Sequence, residues 1–202
     1  MSDIKYKVDV RERISDDDFL GLWEKADLYD LGSMADRVRR AKHPEKMVTY
    51  VIDRNINYTD ICISACKFCA FFKAPEKSEG SVLSRDELGA KIAETKELGG
   101  TQILLQGGLH PDLPLEYYED MLRFIKSTGI HVHGFSPPEV HHFSSIAKLP
   151  VNEVLKRLIK AGLDSIPGGG AEILSDRVRS ETAPRKCSAD EWLEVMEEAH
   201  GL

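Results

Sequence analysis

Three cysteines fall on one short loop, in the segment Asn57-Tyr-Thr-Asp-Ile-Cys62-Ile-Ser-Ala-Cys66-Lys-Phe-Cys69-Ala-Phe-Phe72. The spacing is C-x3-C-x2-C, with an aromatic residue just before the last cysteine. Three thiolates this close can hold three irons of a four-iron cubane and leave the fourth open to another ligand. Two weaker readings compete with a cluster. A structural zinc closes its shell with four ligands, usually as C-x2-C pairs, yet the remaining cysteine, Cys187, lies far along the chain. Buried cysteines that serve only packing are the other, but three together on one loop seldom do that. Cys187 itself is expected to pack near a helix cap. Cysteines clustered in this way are not the pattern of a secreted disulfide framework, and they point to a reducing compartment.

Other residues with chemical potential stand beside turns. Gln106-Gly107-Gly108 would let backbone approach a ligand closely, although an ordinary turn between a strand and a helix looks the same. His131 and His133 share one face of a strand because side chains alternate with period two, and His133 is a candidate for substrate contact or proton transfer. Glu139, read as lying on the loop after that strand, is a candidate base. His110 is a further candidate for reaching a substrate, and the His141-His142 pair is read as an exposed loop pair. Gly169 and Glu172 follow a short apolar run, and the bland reading of Glu172 is a negative charge at a helix start.

These residues need elements to position them. Residues 14–42 read as two short helices parted by Gly32-Ser33, with Phe19, Leu20, Trp23 and Leu28 as an apolar face and Pro44 as the stop. Residues 47–58 alternate and are rich in β-branched residues, which predicts a strand. Ser84 with Glu87 forms a capping box for a helix over 85–98, and Gly99-Gly100 closes it. Strands at 101–106, 130–135 and 163–166 then alternate with helices at 114–127 and 151–161. Pro137-Pro138 is read as ending the third strand. Helices over 172–180 and from Ser188 onward complete the pattern. Such alternation predicts an α/β fold of about four parallel βα units, and parallel strands gather their loops, and their sites, at the strand C-termini. The expected organisation is a helical segment over 1–46 and an α/β core over 47–202.

Bulk properties exclude several classes. The formal net charge is −7 and no basic stripe appears, so a nucleic-acid partner is not expected. Residues 1–18 are polar and lack the apolar core of a signal peptide, and no apolar run approaches the roughly 20 residues that span a bilayer. The expectation is a cytoplasmic protein with neither membrane nor nucleic acid as partner.

The cysteine segment resembles the signature of the radical S-adenosylmethionine (SAM) superfamily, and its place after the first strand extends the resemblance over nearly the whole chain. That resemblance implies the N-terminal half of a TIM-like (β/α) barrel. It implies a 4Fe-4S cluster on Cys62, Cys66 and Cys69, with SAM on the open iron and a 5′-deoxyadenosyl radical as the reactive species. It places Gln106, Gly107 and Gly108 at the methionyl end of SAM, Phe71 against the adenine, and Gly169 and Glu172 near the ribose or amino group. For Phe71 a core aromatic remains the alternative.

Flanking segments narrow the resemblance. Arg54-Asn-Ile-Asn-Tyr-Thr59, Leu105-Gln-Gly-Gly-Leu-His-Pro-Asp112, His133-Gly-Phe-Ser-Pro-Pro-Glu139, Asp164-Ser-Ile-Pro-Gly-Gly-Gly-Ala-Glu-Ile-Leu174 and Lys186-Cys-Ser-Ala-Asp-Glu-Trp192 are most similar to the family that cyclises dehypoxanthine futalosine on a route to menaquinone. Its siblings are the aminofutalosine synthases and the enzymes that make the deazaflavin precursor. The implied substrate is dehypoxanthine futalosine, and the implied electron donor is a flavodoxin or ferredoxin. Glu139 is then the candidate base for the proton loss that restores aromaticity, and His133 the candidate for substrate contact or proton transfer. A full barrel of this kind needs about two to four further βα units, so a missing C-terminal half, as more chain or as a partner, is also expected. An inactive cluster-binding fragment is the alternative.

Overall fold

The computed structural model describes residues 2–77 and 79–202. It divides into two compact units, Met1–Tyr50 and Val51–Leu202.

The first unit holds α1 (Ser2–Val10), α2 (Asp16–Lys25) and α3 (Leu28–Lys42). The expected break at Gly32-Ser33 is absent, and α3 runs straight through it. The break comes earlier, where the Asp27 carboxylate accepts from the N–H groups of Tyr29 and Asp30 and caps α3. An Asp cap is worth about 1 kcal/mol, enough to set the boundary, whereas one interior glycine costs a similar amount that the rest of the helix can absorb. Ser15 and Asp18 form a reciprocal capping box on α2. Helix α1 was not expected from its polar sequence. Ion pairs tie it to its neighbours: Lys7–Asp18 at 2.8 Å, Lys5–Asp30 at 2.8 Å and Arg37–Asp9 at 2.8 Å. Among the described residues of this unit, Ile4 and Met34 are the buried apolar ones, while Phe19, Leu20, Trp23 and Leu28, the expected apolar face, are exposed.

The second unit is built on a three-stranded parallel sheet in the order β1 (Asp53–Asn57), β2 (Gln102–Gln106), β3 (His131–Gly134). Helix α4 (Arg85–Glu97) joins the first two strands and α5 (Leu115–Ser127) the next two. Helices α6 (Pro137–Ala147), α7 (Val151–Ala161), α8 (Asp176–Thr182) and α9 (Ala189–His200) follow. Ile56 pairs with Leu105, and Ile103 with Val132. These four side chains are buried on one face of the sheet, in a core shared with Leu88, Ile92, Leu122, Ile125, Leu155 and Leu158. Removing such apolar surface from water, at about 25 cal/mol per Å², is what holds helices to sheet. The other face is mostly polar: Asp53, Asn55 and Asn57 on β1, Gln102 and Gln106 on β2, His131 and His133 on β3.

Three expectations need correcting here. The predicted strand over 47–58 shrinks to β1, and Met47, Val48 and Tyr50 are exposed. The fourth strand, over 163–166, is reduced to a single parallel bridge between His133 and Ser165. Pro167 has no N–H to extend that ladder, and its ring restricts the residue before it. Pro137-Pro138 does end β3, but it also opens α6. Ser136 is the N-cap, proline occupies the first turn, and Glu139 at N3 completes a capping box. Glu139, His141 and His142 are therefore helical, and Glu139 and His142 are buried. The helix expected over 172–180 starts later, as α8, because Gly170 and Glu172 adopt positive φ values of 77° and 40°. Among the described residues no helix is long and apolar enough to cross a membrane.

Candidate functional site

At the C-terminal end of β1 the chain turns over the sheet and becomes the cysteine loop. Backbone hydrogen bonds set its course. Tyr58 N–H donates to Gln106 O at 3.1 Å, Gly108 N–H to Thr59 O at 2.9 Å, and Ile63 N–H to Leu109 O at 3.0 Å. On the other side Cys62 N–H donates to Lys73 O at 3.0 Å and Lys73 N–H to Asp60 O at 2.8 Å. The turn after β2 lies so close that a Cβ on Gly108 would stand 2.2 Å from Ile61 O and 2.9 Å from Cys62 Cβ. Only glycine fits there.

Cys62, Cys66 and Cys69 line one cavity of about 280 Å³. Cys62 Sγ accepts from the N–H groups of Ser64, at 3.4 Å, and Leu109, at 3.3 Å. The Ser64 hydroxyl lies 3.2 Å from Cys66 Sγ. Burial pushes the Cys62 thiol pKa up, and the two N–H donors pull it back. Among the described residues no three His, Cys, Asp or Glu side chains are placed to hold one metal ion, so the thiols border the cavity without meeting at a point. Three soft sulfur donors around an open space, with backbone N–H groups aimed at sulfur, fit an iron-sulfur cluster better than a lone hard ion.

Behind the glycine turn sits Glu139, 1% exposed. Its Oε1 accepts from Tyr58 OH at 2.8 Å and Gly107 N–H at 3.0 Å, and its Oε2 from Ser136 N–H at 2.7 Å and Ser136 Oγ at 2.6 Å. Burial pushes this carboxyl up to about 7 against those four donors. One side chain thereby joins the end of β1, the turn after β2 and the start of α6. Beneath it Tyr58 packs edge-on against Tyr118 and Phe135, both fully buried.

The opposite wall is made differently. Lys186 Nζ donates to both oxygens of Glu172, at 2.9 and 3.1 Å, and stands 5.2 Å from the Phe68 ring centroid. Arg179, 5% exposed, donates to the carbonyls of Gly170, Ala171 and Cys187 at 2.7–3.2 Å.

Of the expected site residues, the cavity gathers Cys62, Cys66, Cys69, Phe71, Gln106, Gly107, Gly108, Glu139 and Glu172. Gly169 lies just behind, where a Cβ would come within 2.8 Å of Gln106 Nε2, and its carbonyl accepts from Trp192 Nε1 at 3.0 Å. His133 does not line the cavity. It sits lower on the polar face, its Nδ1 2.7 Å from Ser165 Oγ. His110 uses its carbonyl to bind His142 Nε2 and its Nδ1 to accept from Asp112 N–H, so both of these histidines have local structural partners. Cys187 is buried beside Arg179, in keeping with a packing role. Sequence reasoning missed Tyr58, Lys186 and Arg179. For Tyr58 a signal existed: the Ser-Pro-Pro-Glu capping box buries Glu139, and a buried carboxylate needs donors. Lys186 and Arg179 carried none, because their partners depend on how the 168–188 loop folds back.

Residues 56–202 match the radical SAM superfamily. The chain is 47% identical over 195 residues to cyclic dehypoxanthine futalosine synthase of Streptomyces coelicolor, covering 94% of this chain and 49% of that protein. It is 44% identical over 174 residues to 5-amino-6-(D-ribitylamino)uracil–L-tyrosine 4-hydroxyphenyl transferase of Methanopyrus kandleri, covering 82% of this chain and 47% of that one. The chain thus spans about half the length of the curated relatives it matches. Among solved structures its fold is similar to HydG, a maturase of the FeFe-hydrogenase, with a TM-score of 0.72, 17% identity, and coverage of 98% of this chain and 43% of that one.

Proposed function

Because the chain belongs to the radical SAM superfamily, whose members bind a 4Fe-4S cluster and SAM, we propose that it is the SAM-cleaving part of an enzyme that cyclises dehypoxanthine futalosine on a route to menaquinone. The observation that supports the cyclase over its siblings is the 47% identity spread across nearly the whole chain. In this reading the protein works in the cytoplasm and takes its electrons from a flavodoxin or ferredoxin.

Cys62, Cys66 and Cys69 would each hold one iron. Bound there and reduced, the cluster would supply the electron that cleaves SAM, giving the 5′-deoxyadenosyl radical that takes a hydrogen from the substrate ribose. The chain's own residues position and protect. Gln106, Gly107 and Gly108 line the same cavity as Cys62, on the side where the methionyl end of SAM would lie. Phe71 gives an apolar surface for the adenine, and Gly169 and Glu172 approach from the other wall, where the ribose or amino group belongs. The sequence offers Glu139 as the base for the proton released as the benzoate ring regains aromaticity, and His133 for substrate contact or proton transfer. Each Glu139 oxygen is already taken by two donors, whereas His133 Nε2 has no hydrogen-bond partner among the described residues. The acceptor role goes to His133, and Glu139 is assigned the holding of the glycine turn.

A second reading has its own support. The Methanopyrus relative, at 44% identity, is named for joining a tyrosine-derived hydroxyphenyl group to a ribitylaminouracil. Anaerobic reconstitution with iron and sulfide, then incubation with SAM, dithionite and each candidate substrate, separates the two. Cyclisation gives a product lighter than dehypoxanthine futalosine by two hydrogens, with 5′-deoxyadenosine released. An adduct of tyrosine and the uracil would overturn the cyclase in favour of the transferase. An adduct carrying the adenosyl group would overturn it in favour of aminofutalosine synthesis.

A further inference from the structure

The polar face of the sheet carries a cluster that the cluster cavity does not use. Ser165 Oγ lies 2.7 Å from His133 Nδ1 and 3.0 Å from His131 Nε2, so one hydroxyl bridges two imidazoles. Its position is set by the backbone: Ser165 N–H donates to Val132 O at 3.2 Å, and Ser165 O accepts from Gly134 N–H at 2.9 Å. His131 is exposed, and its Nδ1 stands 3.8 Å from Asp164 Oδ2. Asp164 is fixed in turn by Lys126 Nζ at 2.5 Å and Val132 N–H at 2.9 Å.

We propose that His133, Ser165 and His131 form a proton exit path along the polar face of the sheet, from His133 to the exposed His131, with His133 accepting the proton that the substrate ring gives up. The inference rests on the cyclase reading and adds Ser165 and His131, acting through His133, to that reaction. His133 pairs with Leu104, and Gln106, two residues further along β2, lines the cavity. His133 thus lies one layer below the cavity, roughly 7 Å along the strand, so the proposal requires the substrate ring to reach below the cavity onto the polar face, within hydrogen-bond distance of His133 Nε2. Both faces of the relay can be satisfied in one direction. A neutral His133 with its proton on Nδ1 donates to Ser165 Oγ, the Ser165 hydroxyl donates to His131 Nε2, and His133 Nε2 is left with an open lone pair. Burial and the neighbouring His131 lower the His133 pKa, with Asp53 on β1 opposing, which favours the neutral, proton-accepting ring.

The proton balance is closed. The ring C–H bond breaks, its electron pair stays to restore the aromatic sextet, and the proton goes to His133 Nε2. The unpaired electron leaves separately to a one-electron acceptor of the iron-sulfur class. His133 Nδ1–H passes to Ser165 Oγ as the hydroxyl proton passes to His131 Nε2. His133 ends neutral, in its other tautomer. The positive charge ends on the exposed His131, facing the Asp164 carboxylate.

Two measurements test the path. In the reconstituted protein, imidazole nitrogen NMR should show His131 and His133 titrating as a coupled pair, with Ser165→Ala uncoupling them and Ser165→Thr, which keeps the hydroxyl, restoring the coupling. In turnover, Ser165→Ala should form fewer cyclised products per 5′-deoxyadenosine, by about a hundredfold if the path supplies a typical general-base contribution, and should shift the pH profile. Ser165→Thr should recover both. Unchanged product yield and pH profile in Ser165→Ala overturn the path while leaving the cyclase intact. Absence of cyclised product from the wild type overturns the cyclase, and the path is then judged on the rings: independent titration of His131 and His133 overturns it as well.

Discussion

The two walls of the cavity are held by different forces. The wall of β1, the cysteine loop and the 106–109 turn is fixed by backbone hydrogen bonds and by two glycines, Gly108 pressed against the Ile61 backbone and Gly107 against the Tyr58 ring. The wall of 168–188 is fixed by side-chain charge: Arg179 on three carbonyls, Lys186 on Glu172, and positive φ at Gly170 and Glu172. Backbone hydrogen bonds do not titrate and are short-ranged. Ion pairs respond to salt and pH, and their long side chains can let go. A site with one stiff and one charge-held wall can keep its three thiols fixed while the other wall yields to admit a ligand.

The comparison breaks most completely at the ligands. Replacing Cys62, Cys66 or Cys69 by Ala should abolish the brown absorbance of the reconstituted cluster and all SAM cleavage, whereas Cys187→Ala should keep both, since Cys187 only packs beside Arg179. Loss of the cluster in Cys187→Ala would show that the charge-held wall contributes a ligand. Next in size is Gly108→Ala. Its methyl group would stand 2.2 Å from Ile61 O, a clash with backbone that no rotamer relieves. Overpacking of this kind costs about 3 kcal/mol, and here it also pushes Cys62 off its two N–H donors. Thermal melting and iron content should fall together. A melt like the wild type's would mean that the stiff wall is softer than its geometry indicates.

Glu139 ties the stiff wall to α6, and it is the place where that wall does respond to pH. In the folded protein the carboxyl keeps its proton up to about 7, against a value of 4.5 when free. Between those values the native state binds more protons than the unfolded one, so its contribution to stability is full below about pH 4.5 and is lost as the pH rises through 7. At about 1.4 kcal/mol per pH unit, the change is on the order of 3 kcal/mol. Glu139→Gln should flatten this part of the stability-versus-pH curve, measured by urea unfolding from pH 4.5 to 8. It should also lower stability overall, because the amide NH2 would face N–H and O–H donors. A slope that survives the substitution would assign it to another group.

The same division explains what could be read from the sequence. The stiff wall was legible because its signals are local: C-x3-C-x2-C, a glycine pair after a strand, and the capping box at Ser84 that opens the helix after the loop. The Ser136-Pro-Pro-Glu139 box was equally local, but the proline pair was read as a stop when proline in the first turn of a helix is also a start. The charge-held wall was not legible. Which carbonyls Arg179 meets depends on a loop whose path follows from two positive φ values, and Lys186 finds Glu172 across fourteen positions of irregular chain. Nor did β propensity alone fix the fourth strand, since Leu163 and Ile166 flank a run that Pro167 cuts to one bridge.

The smallest expected effect is also the one that discriminates best between the walls. Lys186 is nearly covered, with 9% of its side chain exposed, whereas the Glu172 side chain is 40% exposed. A pair of this kind, half open to water, contributes about 1 kcal/mol at low salt and less as ions screen it over roughly 10 Å at 0.1 M. Lys186→Met keeps the aliphatic stem against Phe68 and removes only the charge, so the stability lost is that of the pair with Glu172 rather than of packing. The variant should melt slightly below the wild type in low salt and converge with it near 1 M sodium chloride, while Gly108→Ala should keep its deficit at every salt concentration. Cluster content in Lys186→Met should match the wild type, because no thiol changes its neighbours. Pairing it with Glu172→Gln closes a double-mutant cycle, and a coupling near zero in low salt would show that the wall stands on Arg179 alone.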